Sequence, residues 1–341
     1  MLEEIHAAPE RIETLLREET RPLAAALGHL RQASPPLIFI AGRGTSDNAA
    51  TYGRYLFEHF LGIPVSGAAL SLFTLYPAPL HLTGALAIGI SQSGESADVV
   101  RAMRTARRLG AFILAVTNER RSSLSELSHH TLHLHALRER AVAATKTYTA
   151  ELVAMTMVCR ALGGKLPDGD LRALPESIRI ALTCEGAIAE VVPRYRYAPR
   201  CVCLARGFNY ATARETALKL METCYLGATG MSAADFRHGP IAFVDASTPV
   251  LCFAASGPTY GFMADLTRRL KGQGVDVLAF TNRLAMGRLA ALTVHCPVKT
   301  REALTPIPFA SLGQLFACHL AMERGLNPDA PRHLSKVTQT L

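Results

Sequence analysis

Short apolar runs alternate with amphipathic stretches of helix length along most of this chain. Residues 37 to 58 read Leu-Ile-Phe-Ile-Ala-Gly-Arg-Gly-Thr-Ser and then a helical pattern closing on Tyr55-Leu56-Phe57-Glu58. Residues 201 to 222 read Cys-Val-Cys-Leu-Ala-Arg-Gly-Phe-Asn-Tyr and then a helical pattern closing on Lys219-Leu220-Met221-Glu222. Both predict a strand, an Arg-Gly turn and a helix. A second block repeats as well. Gly84 to Asn118 predicts a strand, a Ser/Gly turn, an Arg-rich helix and a strand, and Thr248 to Asn282 follows the same order with Ala255-Ser256-Gly257 at the turn. Arg43 and Thr117 are 74 positions apart, Arg206 and Thr281 are 75. The repeat therefore spans whole folding units and predicts a duplicated α/β domain.

Strands alternating with helices of three to four turns imply right-handed βαβ crossovers and parallel sheets covered on both faces, with ligands at the carboxyl ends of the strands. Leu2 to His29 predicts an N-terminal helical segment, with Ser34-Pro35-Pro36 as the break before the first strand. Gly163 to Leu174 separates the two units, Pro175 to Val192 predicts a connecting helix, and the segment after Gly325 predicts an extended tail. The expected organisation is a helical segment over 1–34, a first domain over 35–165, a second over 166–326 and a tail over 327–341.

Of the turns, Ser91-Gln92-Ser93-Gly94-Glu95-Ser96 carries the most chemistry. It follows the apolar run Ala85 to Ile90 and precedes a helix beginning at Ala97-Asp98-Val99-Val100. Unpaired N–H groups, the positive end of a helix dipole, three Ser hydroxyls and the Gln92 amide suit a phosphate dianion. An ordinary Ser-rich helix cap is the other reading of these residues alone.

Composition narrows the classes. At 341 residues, with 49% hydrophobic and 19% charged, the chain has enough apolar content for two folded cores. The net charge of +8 raises nucleic acid as a partner, but the basic residues spread along helix faces, as in Arg101, Arg104, Arg107 and Arg108, and no aromatic-interleaved patch appears. No nucleic-acid partner is expected. The eight Cys are scattered and read as reduced, buried thiols. With no leader pattern and no uninterrupted apolar span, a cytoplasmic protein off the membrane is expected. His129, His130, His133 and His135 invite a metal, but His133 and His135 alternate with Leu132 and Leu134 as a strand's polar face, and no Cys or carboxylate pattern completes a site. Neither metal nor cofactor is expected.

Six motifs in order resemble the sugar isomerase (SIS) domain family. Within it the likeness is to the isomerase half of glutamine:fructose-6-phosphate aminotransferase and to stand-alone glucosamine-6-phosphate deaminases. They are Gly44-Thr45-Ser46, Ser91 to Ser96, Ala143-Ala144-Thr145-Lys146, Glu215-Thr216-Ala217-Leu218-Lys219-Leu220-Met221-Glu222, Arg237-His238-Gly239-Pro240 and Pro331-Arg332-His333-Leu334-Ser335-Lys336. The resemblance implies two tandem domains, each a doubly wound, flavodoxin-like parallel sheet flanked by helices. It implies a phosphosugar substrate bound by Thr45, Ser46, Ser91, Gln92, Ser93, Ser96 and Ala143, with Glu215 nearby. It further implies that Glu222 moves a proton between C1 and C2 beside Lys219, that His238 assists ring opening across a homodimer interface, and that Lys336 forms an imine with a ketose.

Taken alone, these residues have plainer readings. Lys219 and Glu222, three apart on a helix, also fit a surface ion pair; His238 fits a loop cap; Lys336 fits a solvated tail lysine. The chain departs from the family at Ala144, Met221, Thr216 and Asp235-Phe236, and Ala144 removes a hydroxyl from the sugar or phosphate. No glutaminase segment with a leading Cys nucleophile precedes Met1, so the expected reaction is glucosamine 6-phosphate plus water to fructose 6-phosphate and ammonia. Aldose–ketose isomerisation, deglycation of a sugar phosphate conjugate and non-catalytic phosphosugar sensing are the alternatives.

Overall fold

The computed structural model describes residues 1–336 apart from Pro77 and Pro79. It divides into two compact units. The first contains Glu10–Glu139, Lys146–Arg172 and, of the described tail, Ser335 and Lys336; the second contains Met1–Pro9, Arg140–Thr145 and Ala173–Leu334.

The first unit is built on β1 (Ile38–Ala41), β2 (Val65–Gly67), β3 (Leu86–Ile90), β4 (Phe112–Thr117) and β5 (His130–His133), in the order β2-β1-β3-β4-β5 with every pairing parallel. β1 and β3 are buried along their whole length, as is β4 after its first residue, because helices cover both faces of the sheet. Their continuous apolar runs follow from that burial. Phe39, Ala41, Ala87, Ile113 and Ala115 pack on one face against Val99, Met103 and Leu124. β5 lies at the sheet edge and carries polar side chains, with only Leu132 of its four residues fully buried.

The second unit repeats the topology with β6 (Arg200–Ala205), β7 (Gly227–Ser232), β8 (Val250–Ala254), β9 (Val277–Thr281) and β10 (Leu292–His295), ordered β10-β9-β8-β6-β7. Matched strand for strand, this is the first unit's order. The expected duplicated, doubly wound parallel architecture is what the chain adopts. In such a sheet the connections leaving β1 and β3, or β6 and β8, diverge to opposite faces and open a crevice at the strand ends. The Gly42 to Ser46 and Ser91 to Ser96 turns leave β1 and β3, at the crevice of the first unit.

The remaining elements follow the sequence with local differences. The N-terminal segment forms a short helix, Leu2–His6, and a long one, Ala8–Ala33. The helix expected over Pro175 to Val192 breaks at Thr183-Cys184 into Leu174–Leu182 and Glu185–Val191. All eight Cys are free and buried, and burial pushes the Cys224 and Cys159 thiols up to about 12. These thiols act as small apolar groups.

One departure from the family pattern has a packing explanation. Thr216 faces Gly313 of the helix Pro306–Glu323, and a Cβ at Gly313 would collide with Thr216 Oγ1. The Thr216 hydroxyl donates within its own helix to the Thr212 carbonyl at 2.8 Å, which fixes its direction. Gly313→Ala is therefore expected to destabilise the second unit by about 1–3 kcal/mol through overpacking, and Thr216→Gly in the same chain to relieve most of that loss, as read by urea unfolding.

Candidate functional site

The first unit's crevice is bounded by two helix starts that no side chain caps. Helix Thr45–Leu61 begins at Gly44, held at φ 54°, and helix Ala97–Arg108 begins at Ser96, whose side chain makes no cap bond. At the first, Ser46, Asp47 and Asn48 N–H bond back to the Arg43 and Gly44 carbonyls; at the second, the N–H groups before Val100 have no partner within the helix. The cap reading of the serine turn fails on this point. Ser91 Oγ instead accepts from Gly94 N at 3.1 Å and Ser93 Oγ from Glu95 N at 3.2 Å, so the turn folds on its own hydroxyl oxygens and leaves the O–H protons to donate outward.

Gly94 sits at φ 67° where a Cβ would overlap Ser122 Oγ, so the turn requires glycine. Glu95 points away from the crevice and accepts from Ser123 N at 2.8 Å and Ser123 Oγ at 2.7 Å, which clamps the turn to the next helix. Ser46 is buried and donates its proton to Glu151 Oε1 at 2.9 Å, which fixes its side chain as part of the wall.

Three charged residues of this unit escaped the sequence reading. Arg43, in the turn after β1, places Nη2 2.6 Å and Nε 3.1 Å from Asp98 Oδ2, which neutralises the one carboxylate in the first turn of helix Ala97–Arg108. Its repeat in both Arg-Gly turns was the available signal. Glu139, fully buried, accepts from Thr147 N and Oγ1 and from Lys336 Nζ at 2.9 Å. Lys336 is therefore docked rather than solvated. Glu151 gave no sequence signal.

In the second unit the corresponding turn is occupied by the protein itself. A Cβ at Gly257 would overlap the Glu302 carboxylate, and Thr259 Oγ1 hydrogen-bonds Glu302 Oε1. An internal anion thus lies where the first unit leaves its crevice to solvent.

The second unit brings together Glu215, Lys219 and Glu222 on the helix Tyr210–Cys224. Lys219 is 1% exposed, with Nζ 2.5 Å from Glu222 Oε2 and 3.3 Å from Glu215 Oε1. This is not a surface ion pair. Burial pulls the Lys219 pKa down, but the two carboxylates outweigh it and hold the ammonium above its ordinary value of 10.5. Glu215 is buried, whereas Glu222 is 22% exposed and is the carboxylate a ligand can reach. His238 ends the short helix Ala233–Arg237, exposed, before Gly239 at φ 143°. Ala143 also belongs to this unit and is buried, offering only backbone atoms.

Residues 29–161 and 195–324 match the SIS domain family model, which together cover most of the chain. The chain belongs to the SIS domain family. It is 34% identical over 305 residues to glutamine–fructose-6-phosphate aminotransferase (isomerizing) of Pyrococcus horikoshii, a match covering 88% of this chain and 51% of that protein. The chain thus spans about half the length of the curated relatives it matches. A solved structure from Silicibacter pomeroyi DSS-3, provisionally named a phosphosugar isomerase, superposes with a TM-score of 0.83 at 34% identity over 96% of this chain and 98% of that one. Glucosamine-6-phosphate deaminase of Thermotoga maritima superposes with a TM-score of 0.79 over 99% of both chains. At 22% identity that likeness shows the fold alone. No helix among the described residues is long and apolar enough to cross a membrane.

The Lys219 cluster yields a prediction with a sign. Lys219→Met leaves Glu215 buried without its cation and is expected to cost about 3–5 kcal/mol at neutral pH. In the wild type, Lys219 with its raised pKa contributes in full below 10.5 and loses that contribution only above it. Urea unfolding of both proteins across this pH range checks the prediction.

Proposed function

We propose that this chain is a phosphosugar isomerase that deaminates glucosamine 6-phosphate to fructose 6-phosphate and ammonia. The observation that carries the reading is the partly exposed Glu222 carboxylate held against the buried Lys219 ammonium. A sensor needs an anion cradle but has no use for a positioned base.

In this reading the hydroxyls of Ser91, Ser93 and Ser96, the Gln92 amide and the uncapped N–H groups at Ala97 hold the phosphate, with Thr45 and Ser46 on the facing wall. His238 donates to the ring oxygen as the sugar opens. A homodimer would let an exposed His238 serve the partner's substrate. Glu222 then removes the C2 proton, C1 is protonated, and the amine at C2 becomes an iminium ion. Water adds to that carbon and ammonia leaves, so the ketose forms with no redox change. Proton transfer through the Glu222 carboxylate is general acid–base catalysis, and Lys219 holds the carboxylate in place between its two tasks. Lys336 is the amine able to hold the ketose as an imine, and Glu139 is the base beside it that can take its proton.

The aminotransferase name of the relatives supports an amino sugar phosphate and a ketose phosphate as the two ends of the reaction. Deamination is that sugar chemistry run with water as the partner. The experiment is ammonia release from glucosamine 6-phosphate in a coupled assay. Wild type is expected to turn over, with Glu222→Gln slower by about 10²–10⁴-fold in kcat. Absence of ammonia alongside interconversion of a phosphorylated aldose and ketose would replace deamination by simple isomerisation, and tight binding of phosphosugars without turnover would make the chain a sensor.

A further inference from the structure

The histidines that the sequence reading set aside acquire a carboxylate in the fold. Glu19, on the long helix Ala8–Ala33, lies beside His133 at the end of β5 and His135 just beyond it, all in the first unit. One ligand atom from each of the three lies within 4.8 Å of the other two. The carboxylate is 116 positions from His135 in sequence, so no local spacing could announce it. We propose that Glu19, His133 and His135 form a binding site for a divalent transition metal, with zinc the best-suited ion.

The chemistry of the donor set favours this. Two imidazoles and a carboxylate give three ligands of the kind zinc takes, with the fourth position open to water. Zinc bonds of about 2.0–2.2 Å place tetrahedral ligands roughly 3.4 Å apart, so on loading the His135–Glu19 pair, now 2.7 Å apart, opens and separations beyond that spacing, none above 4.8 Å, close. His135 Nε2 and Glu19 Oε1 share a proton at 2.7 Å, with both side chains 11% exposed. A metal ion would take the place of that proton, which moves to His135 Nδ1.

A single residue organises both imidazoles. The Asn118 carbonyl accepts from His133 Nε2 at 2.9 Å, which leaves Nδ1 as the deprotonated nitrogen; Nδ1 meets only the His135 N–H, at a long 3.3 Å. A backbone carbonyl on the far nitrogen is the arrangement that orients metal-binding histidines. The Asn118 side chain meanwhile accepts from Ala136 N at 2.9 Å and donates to the Leu137 carbonyl at 2.7 Å. That clamp holds His135 at φ 51° and Leu137 at φ 54°, a left-handed pair of non-glycine residues that would otherwise be unfavourable. The site would fasten the edge strand to the N-terminal helix.

The test uses the full chain stripped with a chelator and titrated with Zn²⁺ against a chromophoric competitor, then with Co²⁺ to record ligand-field absorption. One ion per chain is expected, with the intense visible bands of a four-coordinate cobalt site and a rise in Tm on loading. Glu19→Gln, nearly isosteric, is expected to lose the ion, the cobalt bands and the Tm shift. His133→Asn, checked by circular dichroism for folding, is expected to do the same. No uptake by the stripped wild type, or an unchanged stoichiometry and cobalt spectrum in both folded variants, would overturn the proposal.

Discussion

Burying the Lys219 ammonium is the constraint around which the second unit's chemistry is arranged. An ammonium with 1% exposure persists only if carboxylates surround it, and Glu215 and Glu222 do so from positions one helical turn to either side. Glu215 shares the burial and fixes the charge. Glu222 is partly exposed, so the same ion pair that stabilises the helix also holds a carboxylate at a set height for the base proposed above. The glycine at 313, which accommodates Thr216, lets the helix Pro306–Glu323 pack close against this one.

Two copies of one fold have diverged at the same topological point. The sheets share an order and the turns share an Arg-Gly and a Ser/Gly pattern, yet one crevice presents free hydroxyls and uncapped helix starts while the other holds the Glu302 carboxylate. A protein-borne anion in the second crevice is a chemical reason for an external anion to choose the first. The Arg43–Asp98 pair reinforces that choice, since it cancels the one acidic charge that a phosphate would meet in the first turn of its helix.

Much of this was legible from the chain because it rests on periodicity. The runs at β1, β3 and β8, and at β9 up to its closing Thr281, are apolar as strands buried on both faces are, and the glycine-rich turns sit where the alternation switches. The serine turn was readable as a motif, and its uncapped state was not, because Ser96 has the residue type of a cap and only geometry shows that it makes no cap bond. The Lys219 and Glu222 spacing was visible, whereas their burial depends on packing from a helix almost a hundred residues later. Glu139 with Lys336 and Glu19 with His135 are long-range pairs, at separations of 197 and 116, and no local pattern encodes them. The break at Thr183-Cys184 was missed because nothing in its composition interrupts the helical period.

The most direct test of the account follows the hydrogen at C2. With glucosamine 6-phosphate deuterated at that carbon, the wild type is predicted to remove the label with a primary isotope effect and to return part of it to C1 of the fructose 6-phosphate formed, as nuclear magnetic resonance would show. Glu222→Gln is predicted to leave the label at C2. Label lost from C2 as fast in Glu222→Gln as in wild type would contradict the assignment of Glu222 as the base, and with it the central role of the Lys219 cluster.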